Sequence, residues 1–259
     1  MKINYRRLPL KQLHNARDLG GHPLQSGGAT RFGVFVRCAV PSNLPQSDID
    51  FLREYGVTAE IDFRGDEEIG RVPSSLADVP GIAYIRRPTF NAQVAFASRQ
   101  IRENPQSSPP VTAFVRWGEK YVEMSDDCQD WIAETLETLA EIDGCALYNC
   151  TTGKDRTGII SALMLGLAGC DEQDIIADYC VSEVHLQEVY RPMLMDYNRH
   201  FVNEEKAAID SPFFKTEPLS MAQLLNHINS KYGGIREYVR TCGVSDAAVN
   251  KIIAKLTGG

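Results

Sequence analysis

Apolar positions along the chain fall into short runs of strand length and longer stretches with a helical period. Val34-Phe35-Val36-Arg37-Cys38, the run from Val57 to Phe63, Ile82-Ala83-Tyr84-Ile85 and Cys145-Ala146-Leu147-Tyr148 are the strand-like runs. Between the first two, Ile49, Leu52 and Tyr55 recur at helical spacing, with Ser47 or Asn43 placed to cap the helix and Gly56 to stop it. Trp131, Ile132, Leu136 and Leu139 form another helical face. Asp126, Asp127 and Asp130 precede it and read as carboxylates at a helix N-terminus, where the dipole favours them. The run from Ile159 to Ala168 is apolar on every side and reads as a buried helix closed by Gly169.

Asp171 is then a cap for a helix bearing Ile175, Ile176, Tyr179 and Cys180. Toward the end, Met221, Leu224, Leu225 and Ile228, then Ile235, Tyr238 and Val239, then Val249, Ile252, Ile253 and Leu256 mark three helices, the last capped by Ser245. Strand–helix–strand order predicts an α/β fold, with a central, mostly parallel sheet flanked by helices and a helical C-terminal part. Two stretches break the pattern. Pro88 to Trp117, with Asn104-Pro105 and Pro109-Pro110, is expected to be a mobile excursion. Tyr190 to Pro218, with Pro192, Pro212 and Phe213-Phe214, is expected to be irregular and to cover the site. With no repeat and no shift in composition, residues 1–259 are expected to form a single domain.

A net charge of -7 argues against a nucleic-acid surface, and no polybasic patch suggests a membrane face, so an anionic ligand must be attracted by local charge. Seven cysteines are an odd number, scattered, without a C-x-x-C pair or histidines at zinc-like spacing. They predict a reducing compartment and no structural metal. The N-terminus lacks the apolar core of a signal peptide, and the most apolar run is too short to span a bilayer. A cytoplasmic protein without stable membrane insertion is expected, with export by a route lacking a cleaved signal left open.

The chemistry gathers at Asn149-Cys150-Thr151-Thr152-Gly153-Lys154-Asp155-Arg156-Thr157-Gly158, between a predicted strand and a predicted helix. At such a junction the first helical N–H groups lack intrahelical partners and the dipole adds partial positive charge, which suits an anion. A cysteine beside a guanidinium and helix N-terminal amides ionises below the free value of about 8.5 and becomes a nucleophile. Arginine offers a planar fork that fits two phosphate oxygens. Asp155, inside the loop, is the best-placed general acid, since the upstream aspartates read as helix carboxylates.

The order C-x5-R-T-G resembles the signature of cysteine-dependent protein tyrosine phosphatases, and C-T-T-G-K-D-R-T-G more narrowly resembles the atypical bacterial ones. Asn15-Ala16-Arg17-Asp18-Leu19-Gly20-Gly21 is similar to their N-terminal N-x-R-D-L-G-G segment, Asp62-Phe63-Arg64 to their D-L-R, and Tyr232-Gly233-Gly234 through Asp246 to their C-terminal pattern. The resemblance implies a cysteine-phosphatase-like fold and a phosphomonoesterase without cofactors. Cys150, Asp155 and Arg156 would be catalytic; Thr151, Thr152, Gly153, Lys154, Thr157 and Gly158 would bind phosphate. Phosphotyrosine is the implied substrate, with phosphoserine and phosphothreonine as extensions, and a phosphocysteine the intermediate. Lys154 adds a charge that would suit a phosphoinositide, unless Asp155 cancels it, and Thr157 could either bond the thiolate or cap the helix.

Asp62 and Arg64, at a strand's carboxyl end, are candidate substrate contacts; the competing reading pairs Arg64 with Glu67 or Glu68. Asn15, Arg17 and Asp18 read as structural. Where the family usually has histidine before the cysteine this chain has Asn149, so a less reactive thiol and a higher pH optimum are expected. A phosphate-binding module with little turnover is the competing function, although binding alone does not require a thiol. A sulfur-transfer or arsenate-reducing enzyme would need a resolving cysteine near Cys150. A nucleotide kinase is disfavoured because Asp155 follows Gly153-Lys154 where a P-loop needs Ser or Thr.

Overall fold

The structure is a computed structural model that describes residues 6–89, 117–198 and 215–258. Its sheet contains β1 (Arg17–Asp18), β2 (Phe35–Cys38), β3 (Val57–Asp62), β4 (Ala83–Arg86) and β5 (Cys145–Asn149) in the order β1-β2-β5-β3-β4. Only β1 runs antiparallel to its neighbour. The expected mostly parallel sheet is therefore present, with β5 at its centre. All five residues of β5 are buried, which explains why the strand reads as a continuous apolar run rather than an alternating one.

Around the sheet lie α1 (Gln46–Tyr55), α2 (Asp66–Arg71), α3 (Trp117–Asp127), α4 (Gln129–Glu141), α5 (Asp155–Ala168), α6 (Glu172–Asn198), α7 (Pro218–Tyr232), α8 (Ile235–Thr241) and α9 (Asp246–Thr257). Alternate strand residues face two cores. Phe35, Ile61, Ala146 and Tyr148 join a large cluster with α3, α4, α5 and the C-terminal helices. Val36, Val57, Cys145 and Leu147 join a smaller one with Leu52 and Tyr55 of α1. Helix α5 is wrapped by neighbours, so nearly all its side chains are buried. The register sets Cys38 beside Asn149 and Asn149 beside Asp62, so the carboxyl ends of three parallel strands meet where the loop after β5 begins.

Several local expectations hold. Gly56 and Gly169 end α1 and α5 in the left-handed conformation, Ser245 Oγ accepts from Ala248 N–H at 3.1 Å, and Asp171 Oδ1 accepts from Gln173 N–H at 2.9 Å. Others are corrected. The residue ahead of α1 is Pro45 in extended conformation, so neither Ser47 nor Asn43 caps that helix. Asp126 and Asp127 end α3 rather than begin a helix, and only Asp130 lies in a first turn. At a C-terminus the dipole opposes a carboxylate, and the compensation is tertiary. Against slight burial, His227, Lys231 and Tyr232 bond Asp126 and hold its carboxyl at about 2.

Trp117 opens α3 instead of closing a loop, and the rest of that proposed excursion, 90–116, lies outside the described residues. The expected irregular stretch after Tyr190 is helical up to Asn198, Pro192 included, while 199–214 lie outside the described residues. A proline weakens a helix without ending it when the flanking turns keep their bonds. All seven cysteines are free. Among the described residues, no helix is long and apolar enough to cross a membrane.

One buried acid sets a pH dependence. Glu60 on β3 is fully buried, and burial pushes its carboxyl up to about 8, although Ser74 O–H donates to it at 2.6 Å. Between about 4.5 and 8 the folded state holds a proton that the unfolded chain has lost, so stability falls as pH rises through that window. Glu60→Gln, whose amide stays neutral, should remove this slope. Urea unfolding at pH 9 should show the variant more stable than wild type by on the order of 2–4 kcal/mol, with the gain vanishing near pH 4.5.

Candidate active site

Cys150, Thr151, Thr152, Gly153 and Lys154 span the gap between the end of β5 and the start of α5. Their shape follows from where the carbonyls go. Asn149 O accepts from Phe63 N–H at 2.9 Å and Thr151 O from Val40 N–H at 3.2 Å. Asn15 Nδ2 donates to Thr152 O and Gly153 O at 3.0 and 3.1 Å, and Arg37 Nη2 donates to Gly153 O at 2.8 Å. With these carbonyls tied into the protein body, the opposite side of the loop is left to amides and to the unpaired N–H groups of the first turn of α5. Gly153 adopts φ +68°, and a Cβ there would lie 2.2 Å from Cys38 O, so the sharp turn requires glycine. Cys150 is buried in this cradle, 2% exposed.

Arg156, on the first turn of α5, is held by Glu68, a carboxylate considered from the sequence only as an alternative partner of Arg64. Its Nη1 donates to Glu68 Oε2 at 2.9 Å and to Phe63 O at 3.0 Å, and its Nη2 donates to Glu68 Oε1 at 2.7 Å. Thr151 O–H also donates to Glu68, and Gly65 N–H does so at 3.1 Å, which closes the first turn of α2. Burial opposes the charge on Glu68, but these donors win and bring its carboxyl down to about 2. For Arg156, burial works against the cation while Glu68, Cys150 and Asp155 raise it above its ordinary value. The guanidinium is thus permanently charged and fixed in plane.

The next two loop charges are paired. Lys154 is fully buried, its Nζ 4.3 Å from the centre of the Trp117 ring, 3.5 Å from Asp155 Oδ1 and 3.2 Å from Lys215 O. Burial pulls this ammonium below its ordinary value, against the attraction of Asp155 and Cys150. Asp155 opens α5 with its carboxylate 14% exposed, and Tyr121 O–H donates to its Oδ1 at 2.5 Å.

Among the remaining candidates, Thr152 is buried in the loop, and the buried Thr157 hydroxyl has no hydrogen-bond partner among the described residues, so it makes neither of the two bonds considered for it, to the thiolate or as a helix cap. Gly158 lies in α5, where a Cβ would meet Tyr179 at 3.4 Å and Arg37 at 3.6 Å. Asp62 and Arg64 are buried against each other, with Arg64 Nη2 at 2.6 Å from Asp62 Oδ2. Tyr84 O–H and Asn149 Nδ2 also donate to Asp62, at 2.9 and 3.4 Å. The pair is a buried brace at the carboxyl end of β3, not an open contact, and Arg64 engages neither Glu67 nor Glu68. Asn149 bonds this brace and not the loop.

The sequence reading missed Arg37, Glu68, Asp178, Trp117 and Tyr121. Asp178 on α6 accepts from Arg17 Nε at 2.8 Å and from Arg37 Nη1 at 2.7 Å. Arg17 Nη1 donates to Asn15 Oδ1 at 2.5 Å, so Asn15, read as structural, is part of the loop's support. A lone arginine inside the apolar run from Val34 to Cys38 was the available signal for Arg37, since a buried charge needs a partner.

The model of the tyrosine phosphatase family matches residues 8–258. A tyrosine-protein phosphatase of Nostoc commune is 27% identical over 226 residues, covering 86% of this chain and 74% of the relative. The triple specificity protein phosphatase PtpB of Mycobacterium tuberculosis is 24% identical, covering 94% and 96%. The crystal structure of TpbA from P. aeruginosa is 15% identical over 76% of this chain and 87% of its own, with a TM-score of 0.29. A loop built around cysteine and arginine, in a chain matched nearly end to end, leads to one conclusion: the chain belongs to the tyrosine phosphatase family and is a hydrolase of the protein-tyrosine-phosphatase type.

Proposed function

We propose that the chain hydrolyses phosphotyrosine, and also phosphoserine and phosphothreonine, through a phosphocysteine intermediate. The thiolate of Cys150 attacks phosphorus and the ester P–O bond breaks, while Asp155 gives its proton to the leaving oxygen. Water then attacks phosphorus, Asp155 takes the water proton, the S–P bond breaks, and thiolate and phosphate are released. Arg156 and the loop amides hold the equatorial oxygens throughout. The observation that carries this reading is the outward tie of the loop carbonyls by Asn15, Arg37 and the Val40 and Phe63 amides, around a buried cysteine. A module that only bound phosphate would not need the thiol.

Asp155 is favoured as the acid because Asp126 is already engaged by His227, Lys231 and Tyr232. A phosphoinositide substrate is the second reading and draws on Lys154. A second phosphate would have to compete for that ammonium with the Trp117 ring, Asp155 and Lys215 O, which weighs toward the protein substrate.

Cys150→Ser should lower p-nitrophenyl phosphate hydrolysis by at least about a thousandfold in chelator-treated buffer with the fold intact; retained turnover would refute the phosphocysteine route. Phosphotyrosine peptides and phosphoinositides assayed side by side should favour the peptides. The loop's shape has its own test. Gly153→Ala should abolish turnover and vanadate binding, because its Cβ collides with Cys38 O, whereas Gly158→Ala, which meets only ordinary contacts, should retain both within about threefold.

A further inference from the structure

Helix α3 supplies a pair of aromatic side chains to the two adjacent charges of the loop. Trp117 and Tyr121 are four residues apart, so they share one face of the helix. The Trp117 ring lies under Lys154 Nζ, and the Tyr121 hydroxyl donates to Asp155 Oδ1 at 2.5 Å. A second phenol stands behind the first. Tyr179 of α6 has its hydroxyl 2.8 Å from that of Tyr121, and their rings meet edge to face at 5.8 Å. Each phenol has one proton. Since that of Tyr121 goes to the carboxylate, Tyr179 is the donor to Tyr121, and the two bonds form a directed chain ending on Oδ1.

The two oxygens of Asp155 are therefore unlike. Oδ1 accepts from Tyr121 and faces Lys154 at 3.5 Å, while Oδ2 takes no hydrogen bond from the described residues. The groups that act on Asp155 are Tyr121 from α3, Tyr179 from α6, Lys154 from the loop and Arg156 from α5.

We propose that Tyr121 is the positioning residue for Asp155: its phenol pins Oδ1, so that Oδ2 carries the proton to the leaving oxygen and then takes one from water, and Tyr179 holds Tyr121 in that role. This rests on Asp155 being the acid and base of the reaction. The proton that moves is the one on Oδ2; the phenol protons stay where they are. Burial raises both phenols well above their ordinary values, so Tyr121 remains a donor across the working pH range. Fixing one oxygen also removes rotation of the carboxyl group, which would otherwise divide the acid between productive and unproductive orientations. Tyr121 touches no substrate in this arrangement and acts only through Asp155.

The test uses aryl phosphates of graded leaving-group acidity, from 2,4-dinitrophenyl to phenyl phosphate, because a poor leaving group needs the acid and a good one does not. Asp155→Asn should lose about a hundredfold or more on phenyl phosphate and little on 2,4-dinitrophenyl phosphate. Tyr121→Phe, which keeps the ring, should show the same dependence at about tenfold on phenyl phosphate, with KM unchanged within about twofold. Tyr179→Phe should show it more weakly, and decides the matter if Tyr121→Phe does not fold. A uniform loss across the series in the tyrosine variants, with Asp155→Asn strongly dependent on the leaving group, overturns the positioning role alone. A uniform loss in Asp155→Asn overturns the assignment of Asp155 itself, and the role of Tyr121 with it.

Discussion

A cradle of backbone amides can face an anion only if the carbonyls of the same peptides are held elsewhere. In this protein that constraint is met by Asn15 and Arg37, which together take the carbonyls of Thr152 and Gly153. Neither donor stands alone. Arg37 and Arg17 share the carboxylate of Asp178, and Arg17 in turn holds Asn15. Burial works against every charge in this group. The two guanidiniums hold Asp178 well below the ordinary carboxylate range despite it, while burial and Arg37 bring Arg17 down to about 10, still cationic at neutral pH. Removing any one partner would strand the others in a site that water does not reach, which makes the network costly to break even where its net contribution to stability is small.

The network joins β1 with the residues just before it, strand β2 and helix α6, so the loop's shape depends on the packing of three distant parts of the chain. It also carries two cations against one anion directly behind the loop. Positive potential at the cradle therefore does not depend on residue 149 alone. Asn149 supplies no charge, and its amide reaches instead to Asp62, tying β5 to the Asp62–Arg64 brace on β3. A second carboxylate, Glu68 on α2, fixes the fork of Arg156. The arginine is thereby preorganised, and the order that a phosphate would otherwise impose on it is already present.

Much of this was legible in the residues. Strands β2 to β5, most of the helices and the caps at Gly56, Gly169, Asp171 and Ser245 follow from local propensity, which acts within a few residues, whereas the two-residue β1 is set by its pairing with β2. The candidate loop was legible for a similar reason: cysteine, glycine, aspartate and arginine occur at short, fixed spacing between a strand and a helix. The failures were also physical. Asp126 and Asp127 carry the mark of a helix start but end α3, and the charge of Asp126 is answered by His227, Lys231 and Tyr232 from a distant helix, which no local pattern could announce.

The sequence by itself thus determined most of the elements, their order and the identity of the loop, because each depends on neighbours along the chain. Only the tertiary structure decided the pairings: Arg156 with Glu68, Asp62 with Arg64, Asn15 and Arg37 with the loop carbonyls, and Tyr121 with Asp155. A charged or hydroxylated side chain has many equally plausible partners in a sequence of this composition. The choice is made by burial, where an unpaired charge is too costly to persist and the sheet register fixes which groups are within reach.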